Sequence, residues 1–295
     1  MFSVSRRMAA GLIGAVAVSL CLGAFAQGAG PGAEHKLRVC ADPNNLPFSN
    51  EQQQGFENRI ADLIAKDMGR EVEYFWFPQR EKFFRQTLNR GVCDVVMGVP
   101  TGLDEAATTH PYYRSTYVIV SRNASHLDIQ SLDDPRLRKL RIGVHILGDE
   151  KDNVPPVNAL MRRGIVKNVV GFSIFGNLNE KDPPADVIRA LAEGKVDVAI
   201  VWGPLGGYFS KASSVPLRVT PLADDAKDPD LPFHFDIAIG VRAGDSALRS
   251  VLDKELARRR PEIEDILRSF GIPQVALPLE TAQAGDTAGT TGRTE

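Results

Sequence analysis

Short apolar runs alternate with segments of helical periodicity along most of this chain, and that alternation constrains the fold more than any other feature. LRVCA (37–41) precedes NRIADLIAKDMG (58–69), whose apolar residues recur at helical spacing up to a stop at Gly69. EVEYFWF (71–77) precedes EKFFRQTLNRG (81–91), predicted as a helix closed by Gly91. CDVVMGV (93–99) is apolar almost throughout, the pattern of a strand covered on both faces. STYVIVS (115–121) reads as the next strand. A βαβαβ order of this kind predicts a parallel sheet with right-handed crossovers.

The same grammar restarts at LRIGVH (140–145), followed by a helix opening on Pro155 and Pro156 and running to about Arg163. GIVKNVVGFS (164–173) is strand-like, PADVIRALAEG (184–194) is a helix with a glycine stop, and KVDVAIVW (195–202) is a buried strand. FDIAIGVRAG (235–244), a helix over 246–260 and a last helix over 261–271 complete the pattern. Two such units predict an α/β fold of two lobes facing each other. The expected division is 37–122 with 236–275 in lobe 1 and 123–235 in lobe 2, joined by a hinge around a central cleft. Ligands in open parallel sheets sit at the carboxyl ends of strands. The loop CADPNNLPFSN (40–50) is therefore expected at the cleft edge.

The first residues, MFSVSRRMAAGLIGAVAVSLCLGAFAQ, combine a basic start, an apolar stretch and an A-x-A motif at Ala24-Phe25-Ala26. This reads as a secretory signal peptide cleaved after Ala26, with 27–36 as a linker and 276–295 as a polar, disordered tail. No other segment is apolar enough to cross a bilayer, so export to the periplasm is expected. Loss of Arg6 and Arg7 makes the formal net charge of −2 more acidic by two, which argues against a nucleic-acid surface. Of three cysteines, Cys40 and Cys93 survive cleavage. An exported pair invites a disulfide, yet side-by-side strands in one sheet would hold these two apart. Their pairing stays open at this stage.

LRVCADPNNLPFS, GFENRIADLIAKDMG, GVCDVVMGV, PYYRSTYVIV, LRIGVH and GKVDVAIV together resemble the periplasmic solute-binding proteins that serve amino-acid importers, over most of 37–271. The resemblance implies a type 2 periplasmic binding fold. RVCADPNNLPFSN, GVCDVVMGVPTG and PYYRSTYV more narrowly resemble the J proteins encoded with pyrroloquinoline-quinone (PQQ) methanol dehydrogenases. In amino-acid receptors the loop after the third strand supplies Thr or Ser and an arginine that forks onto the ligand carboxylate. Here GVPTGLDEAATTHPYY (98–113) keeps Thr101 but has no arginine, and Asp104 and Glu105 would repel a carboxylate. The receptors' aspartate for the ligand ammonium corresponds to Trp202, which cannot form that ion pair. A zwitterionic amino acid would be desolvated without partners, so amino-acid binding is not expected.

Candidate cleft or partner-binding residues are Asp42, Asn44, Asn45 and Phe48 on the first loop, with Gln79, Arg80, Thr101, Arg114, His145 and Trp202 at other strand ends. Turn chemistry accounts equally well for Asp42 and the asparagines. Arg114 could take over anion recognition, although a solvated charge is the plainer reading, and His145 reads as a satisfied or exposed histidine. The aromatic run Tyr74–Phe77 is expected mainly in the core. The acidic stretches GDEKDN (148–153) and ADDAKDPD (223–230) lack EF-hand spacing and read as solvated loops, so no metal is expected. No nucleophile elbow, phosphate loop or zinc-protease motif is present, and neither an enzyme nor a cofactor is expected. The resemblance implies an accessory protein whose partner is a periplasmic quinoprotein dehydrogenase and which assists its activation or maturation. The alternative is a receptor delivering a small, non-amino-acid solute to an ABC importer. A chaperone for the quinone itself would need cations, for which Arg80 and Arg114 are the obvious candidates.

Overall fold

The computed structural model describes residues 35–146, 153–175 and 180–277. The expected signal peptide, most of the linker and tail, and 148–152 of the first acidic stretch lie outside these residues. In chain order the first part runs β1 (Lys36–Ala41), the two-residue strands β2 (Asn44–Asn45) and β3 (Ser49–Asn50), α1 (Phe56–Asp67), β4 (Glu71–Trp76), α2 (Phe83–Gln86), β5 (Val95–Pro100), β6 (Ala107–Thr108) and β7 (Tyr113–Arg122). It continues with β8 (Ile142–Ile146), α3 (Pro155–Arg162), β9 (Val169–Ser173), α4 (Asp186–Ala192), β10 (Val198–Trp202), α5 (Gly203–Ala212), β11 (Leu217–Pro221), β12 (His234–Val241), α6 (Ser246–Arg258) and α7 (Arg260–Ser269).

The main sheet follows the order β4-β1-β5-β12-β7-β10-β8-β9, with β11 added to β7 and β6 to β12. β1 is parallel to β4 and β5, and β8 is parallel to β10 and β9, as the alternating pattern requires. The expected parallel placement of 115–121 is corrected. β7 runs antiparallel to β12, β10 and β11, because β12 and β7 are the strands that carry the chain between the two halves. Its first residues pair with β12 (Arg114 opposite Asp236), and its later residues pair with β10 (Tyr117 opposite Trp202).

The inner strands of the sheet are covered on both faces, which explains their uninterrupted apolar runs. Along β10, Val198 and Ile200 join a cluster with Ile142, Leu160 and Phe233, while Ala199 and Val201 join another with Ile188 and Leu205. In the first half, Val39 and Val95 pack with Phe56, Ile60 and Leu252 on one face. Cys40, Cys93, Val96 and Phe83 fill the other. Trp202 packs against three of these four clusters, so it stands where the halves meet.

Two local expectations change. The helix over 81–91 breaks into α2 and a 3₁₀ turn at Leu88–Arg90, with Thr87 buried between them and its Oγ1 donating to Phe83 O at 2.7 Å. Cys93 lies in the bend ahead of β5 and not on the strand. That bend brings its Cα to 5.6 Å from that of Cys40, and a disulfide joins them.

Candidate functional site

The rim loop is stapled by its own polar groups. Asp42 Oδ1 accepts from Asn44 N–H at 2.8 Å and Oδ2 from Gln79 N–H at 2.6 Å, while the Asp42 carbonyl accepts from Ser49 Oγ at 2.8 Å. This carboxylate therefore serves turn chemistry and fixes the loop to the end of β4. Asn45 and Ser49 pair as a small hairpin, and Leu46–Pro47 is cis. The loop then returns against the start of α1, where a Cβ on Gly55 would stand 1.9 Å from the Phe48 carbonyl oxygen. Asn58 Oδ1 accepts from Gly55 N–H at 3.0 Å and closes the helix start. Phe48 thereby packs its ring 5.5 Å from that of Phe56. Asn44 Nδ2 donates across to Glu180 O at 2.8 Å, so the rim also touches the segment ahead of α4.

Below the rim lies a cavity of about 330 Å³. Among the described residues, the rings of Phe48, Tyr113, Tyr117, Trp202 and Phe235 line it. Trp202 ends β10 beside Tyr117, edge-on at 5.4 Å, and meets Phe235 at 5.8 Å, so the three rings hold one another. Asn45, Gln79, His145 and Asn153 supply polar lining, with Asn45 Nδ2 donating to Gln79 Oε1 at 3.4 Å. His145 is buried, and its Nε2–H donates to Pro184 O at 3.0 Å. Burial pushes its pKa down to about 4, so it is neutral at physiological pH with Nδ1 left as an acceptor.

Glu57 is the charged residue that sequence reasoning missed. It sits in the first turn of α1, 8% exposed, and lines the cavity. Among the described residues no side chain hydrogen-bonds or ion-pairs with its carboxylate. Burial alone pushes its pKa up to about 8. Gly98, the one glycine inside the β5 run, makes room for it, since a Cβ there would stand 2.0 Å from Glu57 Oε1 at a φ of +71°. A glycine inside a strand pattern signals such a close approach, and this was the available clue.

The other sequence candidates stand outside the cavity. Thr101 is exposed, and its backbone N–H donates to Asp236 O at 2.9 Å. Arg114 forks onto Asp236, with Nε and Nη2 at 2.6 and 2.7 Å from the two carboxylate oxygens, and is thus committed within the protein. Arg80 lies 5.8 Å over the Phe175 ring. No lysine or arginine is among the described residues lining the cavity. The aromatic run divides by strand alternation: Tyr74 and Trp76 stack at 4.5 Å, Phe77 packs with Phe83, and Phe75 is 40% exposed. In the second acidic stretch Asp225 pairs with Arg163 at 2.6 Å and Asp224 with His234 at 2.7 Å. Among the described residues no group of three or more metal-ligating side chains converges.

The Arg114–Asp236 pair gives a direct test of that commitment. Arg114→Ala leaves a partly buried carboxylate without its fork, and unfolding in urea is expected to show a loss of about 2–3 kcal/mol. A loss below about 0.5 kcal/mol would be the behaviour of a solvated surface pair and would return Arg114 to the pool of free anion binders.

Residues 37–270 match the sequence model of the bacterial extracellular solute-binding proteins, family 3. The chain belongs to that family. It is 34% identical to Protein MoxJ of Methylorubrum extorquens over 255 residues, covering 82% of each chain. It is 27% identical to Protein MoxJ of Paracoccus denitrificans over 243 residues, 80% of this chain and 88% of that one. Among solved structures, the periplasmic binding protein XoxJ from Methylobacterium extorquens AM1 superposes with a TM-score of 0.68 at 36% identity, over 82% of this chain and all of that one. MxaJ from Methlophaga aminisulfidivorans MPT gives 0.71 at 29%, over 81% and 100%. The type 2 binding-protein architecture expected from sequence is thus shared with these relatives. Among the described residues no helix is long and apolar enough to cross a membrane.

Proposed function

We propose that this family member is a non-enzymatic periplasmic accessory protein that binds a PQQ-dependent methanol or alcohol dehydrogenase and assists its activation or maturation. The observation that carries this reading is the cleft. It keeps the architecture of a receptor, yet no arginine is among its described lining residues to hold an amino acid's carboxylate, Arg114 is held by Asp236, and Trp202 stands where the family pattern has the aspartate for the ammonium. The likeness to MoxJ over four-fifths of the chain supports the choice of partner. The rim loop, fixed by Asp42 and presenting Asn44, Asn45 and Phe48, is the surface proposed to meet it.

The test has two arms on the mature chain. Mixed with the quinoprotein dehydrogenase of its own organism, it is expected to form a complex in sedimentation velocity. Against the common amino acids at millimolar concentration, no thermal stabilisation is expected. A micromolar receptor under those conditions would gain about 4 kcal/mol from mass action. Stabilisation by an amino acid without a complex would overturn the reading. The presence of a cavity below the rim favours a second reading, a receptor for a non-zwitterionic solute, which the complex-formation arm separates from the first.

A further inference from the structure

The cavity holds a chemical imbalance that the accessory role does not use. Its walls are aromatic, its polar lining is neutral apart from one carboxyl group, and that group is buried with no partner among the described residues. A buried carboxylate without a hydrogen bond or counter-charge is costly, by several kcal/mol in a dry site. The fold nevertheless makes room for it, with Gly98 opposite Oε1 where any side chain would collide. An anion would be repelled by Glu57 once ionised, and a neutral ligand would leave its ionised form without a counter-charge. A cation supplies what is missing, and the faces of aromatic rings attract the alkylated surface of an organic cation.

We propose that the cavity is a binding site for a small organic cation without a carboxylate, its charge set against Glu57 and its alkyl groups against Phe48, Tyr113, Tyr117, Trp202 and Phe235. The volume of about 330 Å³ is at the small end of the range for ligand pockets, about 300–1,000 Å³. A compact ammonium suits it better than a long chain. The absence of any arginine on the described lining explains why the ligand carries no carboxylate of its own.

Binding should be linked to a proton. With no cation beside it, Glu57 is protonated at neutral pH, because burial raises its pKa to about 8. The other ionisable groups near it stay silent. Tyr74, Tyr112 and Tyr113 feel its charge but are held above the usual phenol range first by burial, as is Tyr117 on the cavity wall. His145, also on the wall, is neutral above about 4. A bound cation therefore displaces one proton, and affinity should rise about tenfold per pH unit below 8 and level off above it.

Calorimetric titration of the full mature chain with tetramethylammonium, butylammonium and choline tests this, with 3,3-dimethyl-1-butanol as the uncharged isostere of choline. At least one cation is expected to bind. Choline should exceed its isostere by about tenfold or more, and Glu57→Gln should lose about tenfold or more for the cation but little for the isostere. Affinity of the natural protein should increase between pH 6.5 and 8.5, whereas that of Glu57→Gln should not. Thermal melting of Glu57→Gln establishes that the variant is folded. Failure of all three cations to bind, equal binding of choline and its isostere, or a pH-independent affinity unaffected by Glu57→Gln would overturn the proposal. These outcomes leave the dehydrogenase reading standing, because complex formation is measured separately.

Discussion

Replacing both bridged cysteines, Cys40→Ala with Cys93→Ala, is expected to lower the stability of the mature protein by about 4 kcal/mol. The bridge closes a sequence separation of 53 residues, and the loop-closure entropy removed from the unfolded chain at that length is about 4 kcal/mol. The closed segment contains β2, β3, α1, β4 and α2, so the crosslink ties the end of β1 to the segment that leads into its neighbour β5. Both sulfurs lie in the cluster with Phe83, Leu88, Val96 and Val99, and their truncation also removes packing there. Urea unfolding of the double variant, compared with the natural protein in oxidising buffer, measures the difference. A loss under about 1 kcal/mol would mean that the unfolded chain is little constrained by the bridge, and would contradict the entropic account.

The second large effect concerns Glu57, with the opposite sign. In the unfolded chain its carboxyl titrates near 4.5; in the folded protein burial holds it at about 8. Between those values the native state keeps a proton that the unfolded state has released, so the natural protein loses stability as pH rises through the window. Below 4.5 both states are protonated and the group contributes no pH dependence. Glutamine keeps the shape and cannot ionise. Glu57→Gln is therefore expected to match the natural protein's pH trend below about 4.5 and to gain on it progressively up to pH 8, by about 4 kcal/mol across the window. Taking the difference between the two proteins cancels the ion-paired carboxylates, such as Asp133, which Arg163 and Lys227 hold down at about 2. A constant difference from pH 4.5 to 8 would show that Glu57 is ionised in the folded state or reaches solvent. A group that destabilises the fold while lining a cavity is what a binding site retains at the expense of stability.

What the sequence made legible follows from burial. β5, β8 and β10 were readable because each is covered on both faces, which leaves an apolar run that polar loops must interrupt. The glycine stops at Gly69, Gly91 and Gly194 were readable too, since each takes a positive φ, at 66°, 72° and 75°. Strand direction was not readable. The side chains of β7 alternate in the same way whether its neighbours run parallel or antiparallel, so the pairing with β12 and β10 leaves no mark on the sequence. The break at Thr87 depends on a hydroxyl capturing the Phe83 carbonyl, which a periodicity argument passes over.

The candidate site divides along the same line. The loop after β1 and the strand end at Trp202 were legible as neighbours of the cavity, because ligand clefts in such folds form where strands end in polar loops. The fate of Arg114 was settled by Asp236, 122 positions away, and no local pattern links them. Glu57 escaped because a glutamate in the first turn of a helix is ordinarily solvated and favoured there by the helix dipole. Only the fold shows Phe48, Gly98 and Tyr113 closing around it.

We propose that this binding-protein fold acts on a protein partner and does not receive an amino acid. The most direct measurement is sedimentation velocity of the mature chain with the quinoprotein methanol dehydrogenase of the same organism, in quinone-loaded and quinone-free forms, with the amino acids added in a parallel series. The account predicts a saturable complex, unaffected by any amino acid and preferring one form of the dehydrogenase. Two freely sedimenting proteins at tens of micromolar, together with an amino acid that binds the cleft, would contradict it.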